Sequence, residues 1–334
     1  MAKIIFIGTG AFASALASVL SYNNHKIVMW GINDEEIIDI NKGFNKKYFQ
    51  EKEFNNTKNI RATNDLESAL KNIDYLVLAV PSNAFEVVIP KINKVLKNRK
   101  INVLNVAKGI DSKTKKFYSD ALKQYFGSNL NNLATLVGPS FAVEVFNSKL
   151  TMVNVVGEKK SYISKVASLF ENEYFKAFIS DDVYGAQLFA SLKNVYAIGM
   201  GILRALTNDK NPEAALLTLA LNEIRNIKKA LYKDIKVVNP IDYSFAAIGD
   251  TFLTCTSEKS RNFTFGLKIK NLGIEKALES NKTTIEGYRN ALIFKELLTK
   301  IDYNAPFLDS ILEILFKNKE PNLLLDFIEK IKIT

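Results

Sequence analysis

Apolar residues in the first half of the chain gather in short unbroken runs, whereas in the second half they recur at three- and four-residue spacing. Lys3–Ile7 is short, β-branched and apolar, the pattern of a buried strand. Gly8-Thr9-Gly10-Ala11-Phe12-Ala13 follows at once, and Ala15, Leu16, Val19 and Leu20 then return at helical spacing. Ile27–Trp30 predicts a second strand. The continuous runs Asp74–Val80, Ile101–Ala107 and Leu133–Val137 predict parallel strands covered on both faces. Thr151–Val156 and Tyr174–Ile179 are expected to extend the sheet. The runs end in small-residue loops, among them Pro81-Ser82, Lys108-Gly109 and Gly138-Pro139-Ser140. Ligands of open α/β sheets sit at the carboxyl ends of the strands, so these three loops are expected to line one crevice.

Near residue 180 the pattern changes. Ser180-Asp181-Asp182 reads as a helix N-cap with acidic residues in the first turn. The stretch Val183–Leu206 has no proline and is apolar nearly all round, as in a helix buried in a domain or a dimer. Segments around 212–231, 260–270, 284–300 and 306–331 predict further helices. The expected architecture is α/β plus all-α: a doubly wound Rossmann domain over residues 1–180, then an all-helical domain over residues 181–334.

The opening strand, glycine turn, helix and strand form the βαβ unit of dinucleotide-binding folds. Gly8 permits the tight turn, Gly10 lets the backbone approach a pyrophosphate, and Ala13 is small enough for helix-on-strand packing. The helix N-terminus would then present N–H groups and a positive dipole end to the phosphates.

Composition narrows the function further. A chain of 334 residues with 47% apolar residues suits two domains with sizeable cores. No segment approaches the roughly 20 apolar residues of a membrane span, and the N-terminus lacks the regions of a signal peptide. One cysteine, Cys255, allows no internal disulfide, which points to a reducing cytoplasm. Lys and Arg outnumber Asp and Glu by 45 to 35, for a net charge of +10. The lysines are scattered among asparagines, a compositional bias and not a nucleic-acid footprint. The single histidine, His25, lies in a polar turn and reads as a solvated residue. That excludes metal sites built on histidine clusters and argues against a histidine general acid, leaving Lys, Asp, Glu and Tyr for proton transfer. Lys193, in Ser191-Leu192-Lys193-Asn194, has two readings: a buried ammonium with a lowered pKa, or a side chain that snorkels to the surface.

The motifs, taken in order, resemble those of bacterial-type NAD(P)-dependent glycerol-3-phosphate dehydrogenases. They are GTGAFASALA at the N-terminus, Asn64-Asp65-Leu66, LAVPS at 78–82, Lys108-Gly109, GPSFAVEV at 138–145, SDDVYG at 180–185, SLKN at 191–194, IGD at 248–250, LTCTSEKSRN at 253–262 and IEGYR at 285–289. The resemblance implies a Rossmann domain with an all-helical domain like that of 6-phosphogluconate dehydrogenase, and a homodimer. It also implies NAD(P)H-dependent, reversible reduction of dihydroxyacetone phosphate to sn-glycerol 3-phosphate, feeding glycerophospholipid synthesis. Carried over position by position, it makes Lys193 the catalytic lysine, with Asp250 and Lys108 beside it. Lys108, Gly138, Ser140, Lys193, Asp250, Ser260, Arg261 and Asn262 match substrate-contacting positions. Gly8, Gly10, Ala11, Phe12, Lys108, Ala142, Arg261, Thr284 and Glu286 match cofactor-contacting positions.

Those residue types suit the chemistry: a lysine ammonium can stabilise an oxyanion and donate a proton. Asp250 can hold that ammonium, and Lys108 can add a second positive charge. Ser260-Arg261-Asn262 opens an apparent helix, which suits a dianionic phosphate. The bland alternatives are a helix cap for Asp250, and an N-cap with a surface arginine for Ser260-Arg261.

The chain departs from the family pattern at Phe12-Ala13, Ile32, Lys210, Leu219 and Ala247. Members commonly carry Arg or His where Ile32 stands, and without a cation for a 2′-phosphate the expectation leans to NAD over NADP. Two other readings stand beside this one: a related lysine-acid dehydrogenase acting on another small hydroxy or phospho substrate, and a non-catalytic dinucleotide sensor.

Overall fold

The structure, a computed structural model, describes residues 1–111, 113–114, 116–281, 285–300 and 303–331. It divides into two compact units, Met1–Val183 and Tyr184–Thr334.

The first unit is built on one eight-stranded sheet. Its strands are β1 (Lys3–Ile7), β2 (Lys26–Trp30), β3 (Ile60–Thr63), β4 (Tyr75–Leu78), β5 (Ile101–Asn105), β6 (Leu130–Val137), β7 (Thr151–Val156) and β8 (Phe175–Ser180). Their order is β3-β2-β1-β4-β5-β6-β7-β8. The first six pair in parallel, β7 runs antiparallel to β6, and β8 is parallel to β7.

Alternate residues of the central strands feed opposite cores. In β1, Ile4 and Phe6 join one buried cluster while Ile5 and Ile7 join the other. That is why Lys3–Ile7 reads as a continuous apolar run and not as an alternation. Helices Ala11–Tyr22 and Lys160–Phe170 close the first cluster through Leu16, Val19, Ile163 and Val166. Helices Phe85–Leu96 and Tyr118–Phe126 close the second through Ile89, Ile92, Tyr118 and Leu122. The chain reverses its direction across the sheet between β1 and β4, so the turns after these strands flank the switch point where such folds bind ligands.

β3 was not expected from the sequence. Its four residues, Ile-Arg-Ala-Thr, alternate in burial at the sheet edge, a signal too short to separate from loop. The helix that the sequence expects after Ser180-Asp181-Asp182 begins at Val183, directly after the buried Asp182. Ser180 ends β8, and its hydroxyl accepts from the Asp182 amide at 3.1 Å.

Every described element of the second unit is helical. The long helix Val183–Leu206 is followed by Lys210–Leu231, Asp250–Thr256, Arg261–Leu272, Ile274–Glu279, Glu286–Lys300 and Pro306–Phe316. One widened, π-helical turn at Phe245–Gly249 leads straight into Asp250. The single helix expected over 306–331 stops at Phe316: Asn318 turns to φ +55°, and only short 3-10 turns follow. The expected combination of a Rossmann sheet with an all-helical domain is what forms. No helix among the described residues is long and apolar enough to cross a membrane.

Candidate active site

Lys193 resolves in favour of burial. It sits in the middle of helix Val183–Leu206 with only 5% of its surface exposed. Its Nζ donates to Asp250 Oδ1 at 2.8 Å and to Thr254 Oγ1 at 2.7 Å. Asp250 is 3% exposed and lies in the first turn of Asp250–Thr256, and its carboxylate pairs with Lys193. A buried ion pair survives only where each charge answers the other with good geometry. Thr254 completes this: four residues after Asp250, it puts its hydroxyl on the same helix face and donates to the Asp250 carbonyl at 2.6 Å. The hydroxyl proton is spent on the carbonyl, so the oxygen faces the ammonium as an acceptor. Sequence reasoning passed over Thr254, although the four-residue spacing from Asp250 was there to be read.

Beneath this group lies Cys255, fully buried, its thiol directed at the Lys193 carbonyl at 3.6 Å. Burial pushes the thiol up to about 12, despite the nearby Lys193 cation. Cys255 is a packed side chain and not a nucleophile.

A second cluster gathers one residue away from Lys193. Asn194 donates to Glu286 Oε2 at 3.2 Å, and Arg261 comes within 3.9 Å of Glu286 Oε1. Asn262 Oδ1 accepts the Gly287 amide at 2.9 Å. Gly287 must lack a side chain, because a Cβ there would fall 2.3 Å from the Asn194 carbonyl. Ser260 is the N-cap of helix Arg261–Leu272, its oxygen accepting from Phe263 N at 3.4 Å. The side chain of Arg261 is left 61% exposed at that helix start, where no acidic residue occupies the first turn. Thr284 lies outside the described residues. Asn194 and Gly287 belong to motifs noted in the sequence but were given no role there.

In the first unit, Lys108 Nζ donates to the Gly138 carbonyl at 3.2 Å, and Ser140 Oγ donates to the same carbonyl at 3.1 Å. Thus the loops after β5 and β6 do meet. Gly138 has φ +148°, and a Cβ there would strike Val153 Cα at 2.9 Å. Ala11, Phe12 and Ala142 are half-buried against one core cluster.

The glycine turn fits a dinucleotide. Gly8 has φ +123°, and a Cβ on it would lie 2.6 Å from the Ala79 carbonyl, so the turn after β1 closes tightly on the end of β4. At Gly10, by contrast, nothing lies within 4 Å of where a Cβ would stand. Gly10 is also the N-cap of helix Ala11–Tyr22; it brings no capping side chain, and the first turn carries no acid. The space and the N–H donors needed for a pyrophosphate are both present. At the end of β2, Ile32 is 86% exposed and the Asn33 side chain is used as a cap, accepting from Glu36 N at 3.0 Å.

His25 is not the solvated turn residue expected. Its Nδ1 accepts the Ala2 amide at 3.1 Å, and burial lowers its pKa against an opposing hydrogen bond to the Leu169 carbonyl. It fastens the head of β1. Among the departures, Lys210 is exposed and paired with Glu213 at 2.8 Å, Leu219 is half-buried, and Ala247 is buried in the π-helical turn before Asp250.

Comparison with known proteins adds a consistent result. Residues 3–163 match the family model for the NAD-dependent glycerol-3-phosphate dehydrogenase N-terminus, and residues 182–326 match the model for the C-terminus. A Malacoplasma penetrans protein named glycerol-3-phosphate dehydrogenase, NAD(P)+, is 39% identical over 96% of this chain and 94% of its own length. A Mesoplasma florum protein of the same name is 38% identical over 97% and 96%. The crystal structure of glycerol-3-phosphate dehydrogenase from Coxiella burnetii superposes with a TM-score of 0.83 at 24% identity, covering 99% of each chain, and so shares the fold.

Proposed function

Because the chain belongs to the NAD-dependent glycerol-3-phosphate dehydrogenase family, we propose that it reduces dihydroxyacetone phosphate reversibly to sn-glycerol 3-phosphate with a nicotinamide dinucleotide. The observation that carries this reading is the buried Lys193 ammonium, gripped by Asp250 and Thr254 in a chain whose one histidine is committed to the N-terminus of β1.

Unit Met1–Val183 holds the dinucleotide at its glycine turn, and unit Tyr184–Thr334 supplies the acid and the phosphate contacts. The bound reduced nicotinamide supplies a hydride to the substrate carbonyl carbon. Lys193 does the rest of the bond chemistry: its ammonium stabilises the charge growing on the carbonyl oxygen and then gives that oxygen a proton. Asp250 and Thr254 fix the direction of two of its N–H bonds, so the ammonium does not need to reorganise as the oxyanion forms. In the reverse direction the neutral amine accepts the hydroxyl proton.

Arg261 and the start of helix Arg261–Leu272 hold the phosphate with a forked guanidinium and backbone donors. Lys108, Gly138 and Ser140, joined at the Gly138 carbonyl, are assigned to the substrate. Ala11, Phe12, Ala142 and Glu286 are assigned to the cofactor. The exposed Ile32 leaves a 2′-phosphate without a basic partner at that position, which favours NAD over NADP. The same reading makes the protein a cytoplasmic homodimer that provides the glycerol phosphate backbone of phospholipids.

The test follows the absorbance of reduced nicotinamide with purified protein, dihydroxyacetone phosphate, and NADH or NADPH in parallel. Oxidation of NADH, faster than of NADPH, is the expected result. Dinucleotide binding without oxidation of either would support the sensor reading instead. Arg261→Ala should raise KM for dihydroxyacetone phosphate by about 10- to 100-fold, the worth of a hydrogen-bonded charge contact, with a far smaller change in kcat. An unchanged KM would remove Arg261 from the phosphate site.

A further inference from the structure

The middle residue of the glycine turn is held from behind by a buried network that the dinucleotide-binding motif does not require. Thr9 is 6% exposed and packs over Gly31 at the end of β2, where a Cβ on Gly31 would come within 2.6 Å of its methyl group. Its hydroxyl donates to Glu36 Oε2 at 2.5 Å. Its carbonyl accepts from Asn45 Nδ2 at 2.9 Å and from Ser14 Oγ at 3.3 Å. Asn45 is fully buried and spends its amide nitrogen on Thr9 and Ser14, while its Oδ1 finds no hydrogen-bond partner. A buried acceptor left unsatisfied is costly, so the orientation of that amide is dictated by the turn it supports.

Glu36 is the centre of the network. It is 7% exposed, and its other oxygen accepts from Lys47 Nζ at 2.6 Å and from Tyr48 OH at 3.3 Å. Burial works against its ionisation, but the hydrogen bonds from Lys47 and Thr9 outweigh that and hold the carboxyl below its ordinary range. An ionised carboxylate only accepts, so Thr9 must donate to it and cannot rotate away.

Building on the dinucleotide reading above, we propose that Glu36 is a positioning residue for the cofactor: acting through the Thr9 hydroxyl, it locks the Gly8–Gly10 turn in the shape that meets the pyrophosphate. Lys47 balances its charge locally, so the lock does not oppose the phosphates. A carboxylate at the end of β2 would meet a ribose directly; Glu36 instead acts from behind the turn.

Trp30, the single tryptophan of the chain, lies next to Gly31 and reports on this region. Energy transfer from Trp30 to bound NADH gives a dissociation constant without turnover. Thr9→Val and Glu36→Met are each expected to weaken NADH binding by about tenfold, and the double variant by about the same tenfold, because each removes the same Thr9–Glu36 hydrogen bond. Thr9→Ser, which keeps the hydroxyl, should bind within about twofold of the parent. Either single variant binding like the parent, single effects that multiply in the double variant, or Thr9→Ser as weak as Thr9→Val would overturn the proposal. If the parent protein itself shows no transfer to NADH, the dinucleotide reading falls and this proposal falls with it; parent binding with unaffected variants sinks the role of Glu36 alone.

Discussion

Replacing Lys193 with methionine is expected to lower turnover by about 10³- to 10⁴-fold while leaving NADH affinity within about twofold. The loss is large because one group performs both tasks, charge stabilisation and proton donation. The variant carries a second cost. Asp250 is 3% exposed, and without the Lys193 cation its carboxylate loses the charge it is buried against, which destabilises the fold by about 3–5 kcal/mol. The two effects separate in Lys193→Met/Asp250→Asn, where a neutral amide replaces the stranded carboxylate. That double variant should regain most of the lost melting temperature and none of the rate. Rate recovery in the double variant, or equal loss of NADH binding and turnover in the single one, would contradict the assignment of Lys193 as the acid.

The second large effect concerns packing and not chemistry. Helices Val183–Leu206 and Arg261–Leu272 cross at two glycines. A Cβ on Gly201 would stand 2.0 Å from the Phe263 carbonyl, and a Cβ on Gly266 would stand 2.1 Å from the Ile198 carbonyl. The obstructing atoms are backbone, so no side chain can rotate aside. Gly201→Ala must force the helices apart, at a cost of about 3 kcal/mol. For a unit of this size that corresponds to a fall of roughly 10 °C in melting temperature. The crossing also sets the distance from Lys193, on one helix, to Arg261 and Asn262, at the start of the other. Turnover should therefore fall further than the population of unfolded protein explains, when measured well below the transition. A melting temperature within about 2 °C of the parent would show that the helices have slack that the contact distances deny.

The elements that were legible in the sequence are those whose burial is one-sided in meaning. The central strands are covered on both faces, so their apolar runs are unbroken, and the glycine turn follows β1 without a gap. The edge strand β3 has neither property, and its four residues were missed. Lys193 showed the limit of local reading. A lysine in an apolar helix is equally a snorkelling surface residue until its partner is known, and Asp250 is 57 positions away. Only tertiary structure closes that gap. Thr9 and Glu36 likewise look unremarkable in sequence, because what joins them is the close pairing of β1 with β2.

The buried thiol beneath Lys193 carries one more consequence. With its proton held up to about pH 12, Cys255 offers almost no thiolate to an oxidant or an alkylating reagent while the helices stay closed. Reagent can reach it only when the packing around it opens, so the rate of thiol labelling counts those openings. The chain thus contains a built-in clock for the breathing of its own catalytic unit, and ligands that quiet that breathing should slow the clock.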